Sequence, residues 1–379
     1  MADRGVMVVV GTRPEAIKLA PVVRCLRGVA GLAVRLVATG QHRELLAQAL
    51  GEFDLAPDVD LDLMRPDQAP ADLLARALAA LDRTIAAEGP DLVLAQGDTT
   101  TVLAAALASF YRRVPFGHVE AGLRTGDPAN PFPEEMNRVL AGRLAAVHFA
   151  PTVEARANLL REGVDPGTVH LTGNTGIDAL RWVADSLPPP SLDGGRTILV
   201  TAHRRENFGA PLDRICGALR DLVDRLPDAT IVVAVHPNPA AGSVIRARLG
   251  QVARVRLVEP VGYREFVALM RSSFLILTDS GGIQEEGPTL GVPVLVLRAA
   301  TERPEAVLAG TARLVGTDPA AIVAAIERLW TDRAAYRAMS TAANPYGDGH
   351  AAERIARIIA TRFGLEPPPA PAGFRPDWP

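Results

Sequence analysis

Short apolar runs alternate with amphipathic stretches along the whole chain, and this alternation constrains the fold more than any other feature. Candidate strands fall at 6–10, 33–38, 92–95, 116–119 and 147–150 in the first half. The second half offers 197–200, 230–235, 255–258, 274–277 and 293–297. Helical patterns lie between them at 71–88, 99–112, 212–226 and 263–271. Apolar runs without polar alternation, each bounded by a helix, belong to parallel strands covered on both faces. The pattern therefore predicts an α/β fold throughout. A Pro/Gly cluster, Pro188-Pro189-Pro190-Ser191 followed by Asp193-Gly194-Gly195, reads as a linker between two βα series of similar size. The expected organisation is a first domain over 1–187, a second over 188–363 with a last helix able to pack back on the first, and a proline-rich tail at 364–379. A ligand is expected in the cleft between the domains, at the carboxyl ends of the strands.

Composition excludes several classes. With 379 residues, 48% apolar and 22% charged, the chain has ample material for a core. Aromatics are only 4%, so that core must be mostly Ala, Val and Leu. A net charge of −3 gives no basic footprint for nucleic acid. Cys25 and Cys216 have neither metal spacing nor a disulfide pattern, and buried thiols in a reducing compartment are expected. The first apolar run is too short for a signal peptide or membrane span, which predicts a soluble cytoplasmic protein with no membrane partner. One basic count stands out: Lys18 is the single lysine among 40 Lys and Arg residues. An ammonium and a guanidinium are not interchangeable in a tight site. Chance placement is the plain alternative.

Four motifs carry chemistry. Gly11-Thr12-Arg13-Pro14 leaves a strand and opens a helix, presenting free N–H groups to an anion, with Arg13 and Lys18 adding charge for a phosphate or carboxylate. It is neither a dinucleotide fingerprint nor a Walker loop, which argues against NAD and ATP. Ser280-Gly281-Gly282 makes a second helix start suited to a diphosphate, Glu286 lies where it could accept ribose hydroxyls, and Arg303 adds a cation. Asp98 and Glu120 each follow an apolar strand directly, and Glu134 opens the next helix. Three carboxylates at one rim suit general acid–base work. Asp98 equally suits a helix N-cap and Glu134 a first-turn acid; Glu120 has no such structural reason. Finally, His203 and His236 each end a strand of the second half, without metal spacing.

Taken together these segments resemble the non-hydrolysing UDP-N-acetylglucosamine 2-epimerases. The matching stretches are GTRPEAIKLAP at 11–21, QGDTTT at 96–101, HVEAGLRTGD at 118–127, PFPEEMNR at 131–138, TAHRREN at 201–207, TDSGGIQEE at 278–286, TERPE at 301–305 and NPYGDG at 344–349. The resemblance implies two Rossmann-like domains of the GT-B type with the active site in the interdomain cleft. It implies reversible inversion at C2 of UDP-GlcNAc to UDP-ManNAc, through elimination of UDP to 2-acetamidoglucal and re-addition, with no cofactor and no catalytic metal, in a homodimer. By motif position it implies catalytic roles for Asp98, Glu120, Glu134 and His203. Substrate would be held by Arg13, Lys18, His236, Ser280, Gly281, Gly282, Glu286 and Arg303.

The chain departs from the family in two places. A second, activating UDP-GlcNAc site in the family uses a Gln-x-x-Gln segment, which here reads Gln41-His42-Arg43-Glu44. Gln41, Glu44 and Arg204 are the candidates for such a site, and Glu44 would repel a diphosphate, so weak or absent activation is expected. Ala299 stands where an acid is expected before Thr301-Glu302-Arg303-Pro304. Three other readings fit parts of the pattern. A hydrolysing relative would release ManNAc, a GT-B glycosyltransferase would not need three carboxylates in its first half, and a silent sensor would have lost one.

Overall fold

The computed structural model describes residues 3–40, 43–63, 65, 68–189, 196–236 and 238–370. They form two compact α/β units; the chain leaves the first after Ala179 and returns to it at Tyr346. The division thus comes ahead of the Pro/Gly cluster at 188–195, most of which lies outside the described residues.

The first unit runs β1 (Arg4–Val10), α1 (Arg13–Arg27), β2 (Leu32–Ala38), α2 (Arg43–Gly51), β3 (Val59–Asp60), α3 (Pro70–Glu88) and β4 (Leu92–Gln96). It continues α4 (Thr100–Arg112), β5 (Phe116–Val119), α5 (Glu134–Leu144), β6 (Val147–Ala150), α6 (Val153–Arg161) and β7 (Val169–Leu171). Helix α7 (Thr175–Ser186) spans the division. The second unit runs β8 (Arg196–Thr201), α8 (Ala210–Arg225), β9 (Ala229–Ala234), α9 (Pro239–Leu249), β10 (Val255–Val258), α10 (Tyr263–Arg271) and β11 (Leu275–Thr278). It ends α11 (Gly281–Thr289), β12 (Val294–Val296), α12 (Pro304–Leu308), β13 (Ala312–Leu314), α13 (Pro319–Thr331) and α14 (Arg333–Ser340). Helix α15 (Ala351–Arg362) belongs to the first unit and packs on α1.

The sheets are ordered β3-β2-β1-β4-β5-β6-β7 and β10-β9-β8-β11-β12-β13, and the strand pairs within them are parallel. Counted from its own first strand, each follows the doubly wound order 3-2-1-4-5-6, with one strand added to the first sheet. Winding therefore reverses between β1 and β4 in one unit and between β8 and β11 in the other. A crevice opens beyond the carboxyl ends of those strands.

The expected fold class is the observed one, and the central strands show why. Every residue of β4 and β5 is buried, as continuous apolar runs in a covered parallel sheet must be. The sequence pattern missed β3, β7 and β13, all edge strands of two or three residues. An edge strand has one side unpaired and needs no unbroken apolar run, so Asp60, His170 and Arg313 are tolerated there. The aromatic-poor composition shows in the packing. Helix α4 buries Ala104, Ala105, Ala106 and Ala108 and lies against both α3 and α5.

Helix ends follow local chemistry. Thr99 caps α4 by accepting from the Val102 N–H, and Gly89 ends α3 in the left-handed region with its N–H on the Ile85 carbonyl. Cys216 is buried and Cys25 half-buried, and burial pushes their thiols up to about 11 and about 12. Among the described residues no helix is long and apolar enough to cross a membrane.

Candidate active site

At the switch point of the first sheet the backbone is held by small and buried side chains. A Cβ at Gly11 would come within 2.3 Å of the Thr101 hydroxyl and 2.8 Å of that of Thr39, so only glycine lets β1 turn into α1 here. Those two hydroxyls are themselves 3.1 Å apart. Glu15 is 2% exposed and accepts the N–H groups of Gly11 at 2.6 Å and Thr12 at 2.7 Å, together with the Thr99 hydroxyl. One carboxylate thereby ties the loop after β1 to the loop after β4. Burial pushes its pKa up against the pull of those hydrogen bonds.

The same economy places Asp98. His118 is fully buried in β5 with Nε2 2.7 Å from the Gly97 carbonyl. A carbonyl only accepts, so Nε2 carries the proton. Burial lowers the His118 pKa to about 4, so a neutral ring holds the loop. The Asn137 side-chain amide donates to the Asp98 carbonyl at 3.0 Å. The Asp98 side chain is half-buried, with Arg138 Nε 3.6 Å away. Its pKa rises to about 6: burial outweighs the attraction of Arg138, the charges of Glu120 and Glu134 push the same way, and Lys18 opposes them. A carboxyl poised near neutrality can both give and take a proton.

Glu120 follows β5 with φ +64°, left-handed backbone that a side chain adopts at a cost of about 1 kcal/mol or more. Its side chain is 11% exposed and pairs with the Lys18 ammonium. The adjacent acids Glu134 and Glu135 divide their labour. Glu135 is buried, accepts the N–H groups of Thr125 and Gly126, and sits 3.1 Å from Arg138. Glu134 opens α5, half-buried, and its charge reaches Asp98. The structure thus gathers Lys18, Asp98, Glu120 and Glu134 at one edge, where Arg13 opens α1.

The second switch point is cationic. β8 and β11 lie side by side with Thr201 opposite Thr278, their hydroxyls 2.6 Å apart. Asp279 follows β11 directly, and His203 follows β8 after Ala202. The half-buried His203 ring stacks on His236 with centroids 5.3 Å apart and planes 15° from parallel. His236 follows β9, the strand beside β8. Burial lowers the His203 pKa, aided by His236 and Arg204 and opposed by Asp279. Ser280 precedes α11, whose first two residues are Gly281 and Gly282. A Cβ on Gly281 would lie 3.6 Å from a guanidinium nitrogen of Arg204 and 4.0 Å from that of Arg303. Two guanidinium groups and the positive end of a helix therefore converge.

This cradle is braced from behind. Arg303 pairs with the buried Glu285. Gln284, fully buried, donates to the Ser280 carbonyl at 3.1 Å and accepts the Thr301 hydroxyl at 2.6 Å. Glu286 is half-buried and accepts the Tyr263 hydroxyl at 3.3 Å. Ala299 lines a cavity of about 350 Å³ with Glu206, Asn207 and Arg298. In place of an acid there, Arg298 anchors the loop on Glu206 at 2.5 Å and Glu302 at 3.1 Å.

Sequence reasoning assigned no role to Glu15, Glu135, Arg138, Asn207, Asp279, Gln284 or Glu285. The available signal was their position inside the matched motifs. Of the second-site candidates, Gln41 and the side chain of Glu44 lie outside the described residues, and Arg204 lies beside Gly281.

The family model described as UDP-N-acetylglucosamine 2-epimerase matches residues 24–360. The UDP-N-acetylglucosamine 2-epimerase of Escherichia coli K12 is 51% identical over 367 residues, covering 93% of this chain and 98% of that protein. The crystal structure of UDP-GlcNAc 2-epimerase from Neisseria meningitidis bound to UDP-GlcNAc is similar at TM-score 0.85 and 42% identity, over 94% of this chain and 100% of that one. The Methanocaldococcus jannaschii enzyme in complex with UDP-GlcNAc and UDP gives TM-score 0.76 at 32% identity, over 94% and 99%. With the family model matching residues 24–360 and the Escherichia coli K12 protein 51% identical over nearly the whole chain, the chain belongs to the UDP-N-acetylglucosamine 2-epimerase family, whose members are isomerases.

Proposed function

We propose that the chain interconverts UDP-GlcNAc and UDP-ManNAc by non-hydrolysing 2-epimerisation, with Asp98, Glu120 and Glu134 as its acids and bases. The observation that carries this reading is Asp98, pushed up to about 6 beside two further carboxylates and the Lys18 ammonium. The C2 proton of the sugar is weakly acidic. Its removal needs a placed carboxylate together with departure of UDP from C1, and inversion needs proton transfer on two faces. In this reading the first unit supplies the acids and bases. The second holds the nucleotide: Ser280, Gly281, Gly282, Arg303 and His203 face the diphosphate, His236 supports His203, and Glu286 takes the ribose. Arg13 supplements the anion charge balance, and no metal or redox cofactor enters.

Proton NMR of the protein with UDP-GlcNAc in heavy water tests the proposal. UDP-ManNAc carrying deuterium at C2 is expected. Free ManNAc as the main product would transfer the reading to the hydrolysing reaction, and an inert UDP-GlcNAc would end both.

We further propose a cytoplasmic homodimer. Its support is the apolar stripe of Phe132, Met136 and Leu140 running into α5, exposed at 74%, 39% and 44%, with Phe110 and Tyr111 exposed at the end of α4. Light scattering at twice the chain mass, lost on Met136→Glu with Leu140→Glu, is the expected result.

A further inference from the structure

We infer that Asp279 is a positioning residue for His203: it holds the Nδ1–H of the imidazole, presents Nε2 to the ligand, and lets His203 take up one proton from solvent when a diphosphate binds. The inference rests on the second unit binding the nucleotide, as proposed above.

Asp279 is 0% exposed at the end of β11. Its carboxylate accepts the His203 N–H at 3.1 and 2.9 Å, the Arg204 N–H at 2.9 Å and the Asn207 side-chain amide at 2.9 Å. His203 Nδ1 lies 3.1 Å from Oδ1. An ionised carboxylate can only accept, so the ring contact is attractive when Nδ1 carries the hydrogen. That tautomer leaves a lone pair on Nε2. Against a phosphate oxygen a lone pair repels. A proton on Nε2 turns the same contact into a charge-assisted hydrogen bond.

The surroundings set the resting state. The groups facing His203 are Asp279 from β11, the stacked His236 from the end of β9, and Arg204 from its own loop, with Glu302 3.6 Å from Arg204. Burial disfavours the imidazolium, the His236 ring and the Arg204 guanidinium add to this, and Asp279 offsets them only in part. The free protein therefore holds His203 neutral near pH 7. A bound diphosphate adds negative charge on the Nε2 side, which raises the His203 pKa and draws in a proton. The buried carboxylate stabilises the imidazolium from behind, where no ligand reaches. In the elimination step that imidazolium meets the departing UDP already protonated.

Calorimetric titration of the full chain with UDP, at pH 7.5 in buffers of different ionisation enthalpy, reads the proton directly. Wild type is expected to take up as much as one proton per UDP bound, with Kd weakening as pH rises by up to about tenfold per unit. His203→Gln alters a side chain that is 32% exposed, so it should fold, and it should remove the uptake and the slope. Asp279→Asn should reduce uptake per bound UDP and lower kcat more than it raises KM. A purely structural Asp279 would cost stability and leave uptake per UDP unchanged, which would overturn the positioning role. UDP binding without proton uptake, or with equal uptake in His203→Gln, would overturn the inference and leave the proposed function standing. UDP failing to bind wild type would overturn both.

Discussion

At the switch point of the first sheet the side chains that meet are Lys18, Asp98, Glu120 and Glu134, three acids and one base. At the matching point of the second they are His203, His236, Arg204 and Arg303 over the start of α11. The winding order is shared and the charge is reversed. Topology supplies a crevice between the same two strand ends in each unit, and the residues after those strands decide what chemistry occupies it. The two edges also share a brace. Glu15 in the first unit and Asp279 in the second are buried carboxylates spanning the two loops that flank the switch, one from the first turn of α1 and the other from the end of β11. Each acid edge and each cation edge is thus held by an acid that is not offered to a ligand.

If the first edge does chemistry and the second binds, the two must fail differently. Glu120→Gln gives the largest effect. Its carboxylate caps no helix, so kcat should fall by about 10³-fold or more while UDP affinity stays within about threefold. A matching loss of UDP affinity in calorimetry would break the division. Glu286→Gln is the converse. If Glu286 takes the ribose as proposed, its change to an amide should weaken UDP by about 10- to 100-fold, leaving kcat at saturation within a few-fold. A collapse of kcat there would place Glu286 in the chemistry.

Lys18→Arg probes the fit of the first edge. The partner Glu120 is held by strained backbone and cannot easily retreat from a longer, planar head, so kcat/KM should drop about tenfold. Wild-type kinetics would make the single lysine an accident of composition. The smallest effect belongs to Arg138→Gln. Arg138 holds the Asp98 pKa down, so its removal must raise that pKa further. Whichever form of Asp98 reacts, the limb of the pH–rate profile near pH 6 should move to higher pH, by up to about one unit. A limb that stays in place would belong to another group.

Much of this was legible in the sequence, for identifiable reasons. The central strands announced themselves because parallel strands covered on both faces must be apolar throughout. Asp98 and Glu120 stood out because each follows such a strand directly. The braces stayed hidden because their roles are written in distant partners. Glu15 meets the hydroxyl of Thr99, 84 residues away, and Asp279 meets His203, 76 residues away. A buried acid with N–H partners and an exposed acid awaiting a substrate are the same letter. His118, to which sequence reasoning assigned no role, is of the same kind: buried in β5, it is a neutral peg for the loop before Asp98.

The Lys18–Glu120 pair also makes the molecule self-reporting. Since the chain contains no other lysine, amine-selective chemistry has one side-chain target, distinguishable from the terminal amine by peptide mapping. Reductive methylation with isotope-labelled formaldehyde would keep the charge on that nitrogen and place a single resonance against Glu120. Its shift would then report changes in the surroundings of Lys18 and Glu120 without any substitution in the sequence.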